Sequence, residues 1–289
     1  MGKYLNPGND VGFKKIFNEE HKPLLISFLN AALGLEGEDL IVSVTIIDKE
    51  SLPLLKDNKT SIVDIRCTDK KEFQYIVEMQ NRYVPDFVKR SQFYTFHSYV
   101  SRSMKGTKHL KLRPVVFLAI VNYKLFPKKK EYISYHETID KKTNENDLKE
   151  ISFTFIELPK FKKKEEEAKT VLEKWVYFFK NWEKTLDVPK NVVEKELIEA
   201  YELMDEFNWT PQELNAYTKV NLALSSQFAA EEDKYKEGHT EGHKEGQKEG
   251  QKKKSIEIAV AMLKKGLTPK EVAEMTGLSE AELKSLQAK

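Results

Sequence analysis

Cysteine is almost absent from this chain of 289 residues. Cys67 stands alone, so the chain cannot form an internal disulfide, and we expect a cytoplasmic protein in a reducing compartment. Long apolar runs are also absent, because the longest, near Val115–Val121, is far shorter than the length that crosses a bilayer. These two absences argue against a disulfide-stapled secreted domain and against a membrane-spanning protein.

Acidic residues are absent from one long segment. Asp and Glu make up 46 of the 289 residues, yet neither occurs between Asp86 and Glu131. The segment is cationic instead, and a one-sided positive field is what a polyanionic substrate requires. Because the net charge of the whole chain is only +2, the position of the charges carries the signal. The basic residues of the segment are Lys89, Arg90, Arg102, Lys105, Lys108, Lys111, Arg113, Lys124 and residues 128–130.

The first 160 residues carry strand and helix patterns in alternation. Apolar residues at helical spacing predict a helix over residues 10–33, with Gly34 as its stop, and a second helix over residues 85–104. The order helix, strands, helix, strands predicts an α/β or α+β fold with a mixed sheet flanked by helices. Six segments rich in β-branched or aromatic residues predict the strands, over residues 40–47, 61–67, 73–80, 113–121, 131–136 and 151–158.

The chain beyond about residue 165 is predicted to be helical, in three parts. The first part is a helical subdomain with an aromatic core, and we expect it to belong to a main domain of residues 1–230. Within residues 231–252, glycine recurs at every fourth position from Gly238 to Gly250, each time preceded by Glu. Because glycine disfavours an isolated helix by about 1 kcal/mol relative to alanine, this repeat is either a flexible linker or a helix held by a partner. Residues 253–289 predict a tail of short helices.

The tail has two open interpretations. Capping residues at Thr268 and Ser279 and a stop at Gly277 give it the spacing of a helix-turn-helix, which suits DNA reading. Its second helix, however, opens with Glu280 and would present acids to DNA. The alternative is packing or assembly, and we expect a homo-oligomer formed through the glycine-spaced repeat and the C-terminal helices.

Two acids interrupt the apolar pattern of neighbouring predicted strands. Asp64 and Glu78 each lie within one strand, and a hairpin that turns between Asp69 and Phe73 places them opposite each other, with Cβ atoms about 5 Å apart. Two carboxylates that close need a shared proton or a cation, and Mg²⁺ is the natural occupant. On spacing alone, both acids could equally lie on a solvated face of the sheet. The acid-free segment, whose Lys89 and Arg90 follow the hairpin closely, favours the metal site.

Six segments in order resemble the PD-(D/E)XK phosphodiesterase superfamily. More narrowly, they are similar to the Rpn branch of recombination-promoting, transposase-like nucleases, and they extend over most of residues 6–230. The glycine repeat followed by a small helical tail also resembles this branch. The segments are NPGNDVGFKKIF, VDIRC, YIVEMQ, KRSQFYTFHSYVSRSMKG, LRPVVFLAIVN and FIELPKFKKKEEEAKT.

The resemblance implies a restriction-endonuclease-like sheet flanked by helices. It also implies that Asp64 and Glu78 are metal ligands and that the backbone carbonyl of Met79 faces the metal. Asp10 matches a further acid near the site.

One position departs from the superfamily pattern. Gln80 stands where the superfamily has a lysine. A glutamine can orient water through hydrogen bonds but supplies no positive charge to a transition state. Lys89 or Arg90 could supply that charge instead.

The residues and the resemblance together predict an Mg²⁺-dependent endodeoxyribonuclease, with Mn²⁺ or Ca²⁺ as alternative ions. We expect it to hydrolyse phosphodiester bonds of DNA with low sequence specificity, because its contacts are mainly to phosphate, and to promote recombination. The predicted catalytic residues are Asp64, Glu78, Gln80, Asp10 and Arg90, and the predicted metal ligands are Asp64, Glu78 and Met79. The predicted nucleic-acid-binding residues are Lys14, Lys89, Arg90, Arg102, Lys105, Lys108, Lys111 and Arg113.

Other functions remain open at this point. A nuclease fold that has lost catalysis together with the lysine would be a DNA-binding or assembly protein. A strand-transfer reaction of the transposase kind would join DNA rather than only break it. RNA also remains open as the substrate, because phosphate contacts do not distinguish the two sugars.

Overall fold

The computed structural model describes residues 3–47, 65–101, 112–279 and 282–283. At its centre is a six-stranded sheet in the order β1-β2-β3-β4-β6-β5. The three strands β3, β4 and β6 run parallel, and β1, β2 and β5 are antiparallel to their neighbours. The strands are β1 Val44–Ile46, β2 Ile65–Asp69, β3 Gln74–Gln80, β4 Val115–Val121, β5 Ile133–Thr138 and β6 Leu148–Glu157.

Helices cover both faces of this sheet and make up the C-terminal part of the chain. The helices are α1 Asp10–Ile16, α2 Lys22–Leu33, α3 Phe87–Ser101, α4 Val171–Asn181, α5 Lys195–Met204, α6 Pro211–Lys264 and α7 Pro269–Thr276. All six predicted strands are present, although β1 has three residues where eight were predicted. The predicted α/β fold with a mixed sheet flanked by helices is therefore confirmed.

The single helix predicted over residues 10–33 is wrong, because the chain forms two helices with a turn between them. The side-chain amide of Asn18 donates to two carbonyls in the last turn of α1, at 3.2 and 3.0 Å. Its Oδ1 accepts N–H bonds from two residues of the turn, at 2.8 and 3.0 Å. Pro23 in the first turn of α2 has no N–H and would disrupt a continuous helix. Gly34 ends α2 with φ 65°, as predicted.

Alternate residues of β3 belong to two different cores, as the pleat of a strand requires. Tyr75, Val77 and Met79 join the larger core, which contains residues of α1, α2, α4 and α5. Ile76 points to the other face and packs in a smaller cluster with Phe87 of α3. Helix α3 therefore covers the face of β3 that carries the even-numbered side chains.

The predicted aromatic core of the helical subdomain is confirmed. Trp175 of α4 is fully buried, and its ring packs edge-on against Phe28 of α2 at a centroid distance of 5.7 Å. Phe179 stacks on the same indole at 6.1 Å. The subdomain thus encloses the larger core on the side of the sheet opposite to α3.

The C-terminal part forms its own compact unit. Residues 1–221 and 222–289 separate into two units, so the predicted boundary at residue 230 falls inside α6. The glycine repeat is helical and lies within α6. Among the described residues, no helix combines the length and the apolar character needed to cross a membrane.

The predicted caps of the tail are confirmed. The hydroxyl of Thr268 accepts from the N–H of Glu271 at 3.4 Å, and that glutamate returns a bond to the N–H of Thr268 at 2.8 Å. Ser279 caps in the same way through Glu282. Gly277 ends α7 with φ 69°. The first of the predicted tail helices is continuous with α6, which extends to Lys264.

Candidate functional site

The carboxyl ends of the three parallel strands meet at one edge of the sheet. Gln80, Val121 and Glu157 are in register across β3, β4 and β6. The N–H of Asn122 donates to the carbonyl of Gln80 at 2.8 Å, so β4 and β3 stay together up to this edge. Ligands of open α/β sheets bind beyond the carboxyl ends of parallel strands, so this edge is the candidate binding site.

Glu78 is a buried acid near this edge. Its side chain is only 2% exposed, and it points to the α3 side of β3. The alternative that Glu78 lies on a solvated face of the sheet is therefore wrong. An ionised carboxylate in such surroundings requires compensating charge and hydrogen bonds.

Two side chains contact the same oxygen of this carboxylate. The amide nitrogen of Gln80 donates to Oε1 of Glu78 at 2.7 Å, because residues two apart on a strand share a face. Nη2 of Arg90 lies 3.3 Å from the same oxygen. Arg90 reaches it from the first turn of α3, where its N–H bonds the carbonyl of Asp86 at 2.8 Å. The structure thus brings together three of the predicted catalytic residues.

Two tyrosines lie in the field of this group. Tyr94 follows Arg90 by one turn of α3, and Tyr123 lies just beyond β4. Burial raises the pKa of both hydroxyls, the charge of Glu78 raises it further, and the guanidinium of Arg90 lowers it. The ring of Tyr123 also stands edge-on to Tyr83, at a centroid distance of 5.5 Å. The hydroxyls therefore stay protonated and can act as hydrogen-bond donors.

The sequence pattern did not point to either tyrosine. The signal that could have found Tyr123 is its position two residues past a strand that runs parallel to β3. Because Val121 is paired with Gln80, the residues immediately after Val121 must come close to the Glu78 side chain.

A second buried acid, Glu157, ends β6 at the same edge and was also missed. It is 1% exposed and pairs with Lys160 at 2.6 Å. Its other oxygen accepts from the N–H of Phe126 at 3.1 Å, and Lys160 donates to the carbonyl of Phe126 at 2.8 Å. Because Glu157 and Lys160 bond each other and the backbone of Phe126, we interpret this pair as stabilising the end of β6.

Some of the predicted site residues lie outside the described residues. The described pairs of β2 and β3 include Ile65 with Val77, which is the register from which the facing positions of Asp64 and Glu78 were predicted. The Asp64–Glu78 pairing itself is not described. The predicted residues outside the described ranges are Asp64, Arg102, Lys105, Lys108 and Lys111.

Asp10 and Lys14 form an ion pair on α1. Their side chains lie one helical turn apart, with an N···O distance of 2.5 Å. The loop before α1 packs on the end of β3, because Asn81 donates to the carbonyl of Gly8 and a Cβ on Gly8 would come within 2.5 Å of the Met79 side chain. Asp10 follows Gly8 by two residues, its ion pair is with Lys14, and its role as a further acid at the site stays a prediction.

Arg113, another of the predicted nucleic-acid-binding residues, lies away from Glu78. Arg113 precedes β4 and pairs with Glu72 in the β2–β3 turn at 3.4 Å. That turn is at the amino end of β3, about 20 Å from its carboxyl end at the usual rise per residue. The structure therefore does not bring Arg113 to the Glu78 site. Lys89 is exposed on α3, next to Arg90.

The oxygen atoms at this edge are the type of ligand that a hard divalent cation prefers. Even-numbered residues of β3 direct their backbone groups to β4, so the Met79 carbonyl is directed to the β2 side. Among the described residues, Glu78 therefore offers a carboxylate and Met79 a carbonyl, whereas the carboxylate of Glu157 is engaged by Lys160. No three His, Cys, Asp or Glu side chains come together as a metal site within the described ranges, which exclude Asp64.

Cys67 has no part in this chemistry. It is fully buried in the larger core, on the opposite face from Glu78. Burial, and secondarily the charge of Asp69, raises the pKa of its thiol to about 12. A thiol of this kind is a packing group and not a nucleophile.

Comparison with protein families matches two parts of the chain. Residues 7–227 match the family described as "PD-(D/E)XK nuclease family transposase". The chain belongs to this family. Residues 252–288 match the family described as "Rpn/YhgA-like nuclease family, C-terminal HTH domain". Comparison with the curated proteins and with the solved structures gave no match.

Membership in the PD-(D/E)XK nuclease family confirms the resemblance to its Rpn branch. It supports a nuclease or transposase-like function, and nucleases of this family typically use divalent metal ions. The nuclease domain and the helix-turn-helix domain both imply binding to DNA.

Proposed function

We propose that the chain is an Mg²⁺-dependent endodeoxyribonuclease that cleaves DNA with low sequence specificity and promotes recombination. The observation that carries the proposal is the buried carboxylate of Glu78, held beside Gln80 and Arg90 at the carboxyl end of parallel strands. Burial of an ionised carboxylate costs free energy even when it is paired, so a buried acid at the ligand-binding edge of the sheet supports a functional role, and the role in this proposal is metal binding.

The metal ligands in this proposal are Glu78, Asp64 and the carbonyl of Met79. Mg²⁺ held by these groups would supply Lewis-acid chemistry, lowering the pKa of a coordinated water and neutralising charge on the scissile phosphate. Mn²⁺ offers the same oxygen chemistry, and Ca²⁺, which is larger, is the other ion of this class. Asp10, at the start of α1, is the further acid at the site.

Gln80 positions the attacking water in this proposal. Its amide nitrogen is engaged by Glu78 at 2.7 Å, which fixes the plane of the amide group. The carbonyl oxygen of the same amide then accepts a hydrogen bond from the water and orients it. This role needs no positive charge, so it survives the exchange of lysine for glutamine.

Arg90 supplies the charge that Gln80 lacks. A guanidinium carries five donors, and only Nη2 is engaged by Glu78. Its side chain is 22% exposed, so its remaining donors can bind a non-bridging phosphate oxygen from solvent. Lys14, Lys89 and the cations of residues 102–111 then bind the DNA backbone.

Strand transfer is the second candidate, because the family is described as a transposase family. The same site would activate a DNA 3′-hydroxyl in place of water. Only the products separate the two reactions, since hydrolysis gives broken DNA and strand transfer gives joined DNA.

The chain further associates with itself in this proposal. Gly242, Gly246 and Gly250 form a small-residue stripe along α6, and a Cβ added at any of them would meet nothing within 4 Å. The stripe therefore leaves room for another helix to approach closely. With the C-terminal helices, it would form the contact of a homo-oligomer.

The decisive experiment for the nuclease proposal compares Glu78→Gln with wild type in plasmid nicking with Mg²⁺. Glu131→Gln, an exposed acid far along the chain, is the matched control. We expect nicking by wild type and the control, and a loss of at least about a hundredfold in Glu78→Gln and Asp64→Ala. Equal nicking by all four proteins, or none by wild type across metals and salt concentrations, would contradict the proposal. Salt-sensitive DNA binding without any cleavage would instead support the degenerate, DNA-binding alternative.

A further inference from the structure

A cationic cavity lies on the opposite face of the sheet from Glu78. It has a volume of about 400 Å³ and is formed by α4 and the segment that follows β6. Phe161 and Tyr177 on its wall pack with the larger core, whereas Glu78 points to the α3 side. The cavity is therefore separate from the candidate nuclease site. Its lysines are Lys162, Lys163, Lys164 and Lys180.

The ammonium groups of this cavity are crowded. Burial lowers the pKa of Lys180, and the charges of Lys162 and Lys184 lower it further. None of the ion pairs between described residues includes any of these three lysines. Positive charges held close together without acidic partners are stabilised by an anion.

The acidic groups that line the cavity offset this charge only in part, because four lysines face two glutamates there. Glu165 and Glu166 also line it, but neither forms an ion pair with its lysines among the described residues. Lys163 is the exception, since it pairs with Glu173 at 2.5 Å. Lys162, Lys164 and Lys180 therefore remain as the cations of the cavity.

The walls of the cavity are held in place by internal hydrogen bonds. Lys180 donates to the carbonyl of Phe161, which fixes its ammonium at the wall. The amide of Asn191 donates to the carbonyls of Glu165 and Ala168, at 2.7 and 2.9 Å, and fixes the segment that carries the other lysines. Lys180 is thereby held at the wall, and the exposed Lys162 and Lys164 extend from a backbone segment that these bonds fix, which lowers the entropic cost of binding a ligand.

We propose that this lysine cavity is a phosphate-binding site. A phosphate is a compact anion with several acceptor oxygens, which matches lysines together with the amide of Asn181 and the hydroxyl of Tyr177. The volume lies in the range of ligand pockets and admits a phosphate together with its sugar. The phosphate comes either from the DNA backbone or from a free nucleotide.

The test uses the full chain in EDTA, so that no cleavage interferes. Binding of inorganic phosphate, a nucleoside diphosphate and a short DNA duplex is measured by titration calorimetry. The variant is Lys162→Gln with Lys180→Gln, and the matched control is Lys190→Gln with Lys195→Gln, two exposed lysines outside the cavity. We expect the cavity variant to bind phosphate at least about tenfold more weakly and the control to bind as wild type does.

The three probes separate the two sources of the phosphate. If the DNA backbone occupies the cavity, duplex affinity falls and the slope of log affinity against log salt decreases by about one to two. If a free nucleotide occupies it, nucleoside diphosphate binding falls and duplex affinity stays unchanged. Equal binding of all three probes by the cavity variant and the control would overturn the proposal.

Two further variants separate loss of the phosphate site from misfolding and from the outcome of the nuclease proposal. Lys180→Arg preserves the charge, so it should retain phosphate binding if the double variant loses it through charge and not through misfolding. Loss in Lys180→Arg with an unchanged thermal midpoint would also count against the site. Glu78→Gln should bind phosphate at the cavity like wild type, which separates this result from the fate of the nuclease proposal.

Discussion

Nη2 of Arg90 lies 3.3 Å from Oε1 of Glu78, so a guanidinium of α3 neutralises a carboxylate buried in the strand beneath it. Glu78 is almost fully buried, whereas Arg90 is partly accessible. The two groups therefore differ in what they can do when a cation arrives. Glu78 must keep a positive partner, but Arg90 can turn to solvent or to a phosphate. Without a metal ion, the guanidinium of Arg90 thus supplies the positive charge that the carboxylate of Glu78 requires.

Replacing Arg90 by Met removes the positive charge that neutralises Glu78. We expect a loss of about 3 kcal/mol in unfolding free energy without metal, at the lower end for a broken buried pair because Arg90 is partly exposed. Mg²⁺ should then stabilise Arg90→Met more than wild type, since it restores the missing charge. Urea unfolding with Mg²⁺ and with EDTA measures both effects. Equal stabilisation by Mg²⁺ in the two proteins would show that Arg90 and the metal do not share Glu78.

Gln80 can be tested in two directions. Gln80→Leu removes the 2.7 Å bond to Glu78 and the acceptor for water, so we expect plasmid nicking to fall by at least about tenfold. Gln80→Lys keeps a donor for Glu78 and adds charge, so nicking should equal or exceed that of wild type. Initial rates at saturating Mg²⁺ compare the two. Nicking that survives Gln80→Leu but is lost in Gln80→Lys would contradict the role proposed for Gln80.

The strands and their faces could be predicted from the sequence because their patterns are local. The even-numbered positions of β3 placed Glu78 and Gln80 on one face, and the hairpin register followed from a turn between Asp69 and Phe73. Arg90 was within reach because only a short connection separates β3 from α3. For each of these, sequence neighbours are also neighbours in space.

The rest depends on contacts between distant parts of the chain. Tyr123 lies near Glu78 only because β4 is parallel to β3, and strand order is not written in either strand alone. The acid-free segment looked like one patch, yet Arg113 is at the opposite end of the sheet from Arg90. The break between α1 and α2 required the side-chain bonds of Asn18, which an apolar pattern does not reveal.

The contact between Lys15 and Glu213 makes stability depend on pH. The hydrogen bond from Lys15, followed by that from the N–H of Thr210, lowers the pKa of Glu213 from 4.5 to about 2. The folded state therefore binds this proton less readily than the unfolded state does. The contact stabilises the fold fully above about pH 4.5 and loses its effect as the pH falls towards 2.

We expect this effect to be below about 1 kcal/mol, because the Glu213 side chain is 39% exposed and solvent screens the pair. Urea unfolding at pH 3 and pH 7 should show a smaller difference in Glu213→Gln than in wild type. Glu202→Gln, an exposed acid on α5, is the control and should keep the wild-type difference. A pH dependence in Glu213→Gln as large as that of wild type would contradict the assignment.

Substitutions in the glycine stripe of α6 should change helix stability and self-association in opposite directions. Changing Gly242, Gly246 and Gly250 to Ala should stabilise the helix by about 1 kcal/mol per residue, since no neighbour within the chain opposes a Cβ there. If helices of two chains meet at the stripe, the same methyl groups keep them apart. We therefore expect the triple variant to gain helical circular dichroism and to lose mass per particle in light scattering. The control, Gln247→Ala with Gln251→Ala, changes the same helix between and beyond the glycines and should keep the wild-type mass. A triple variant whose mass is also unchanged would mean that the stripe does not hold the oligomer together.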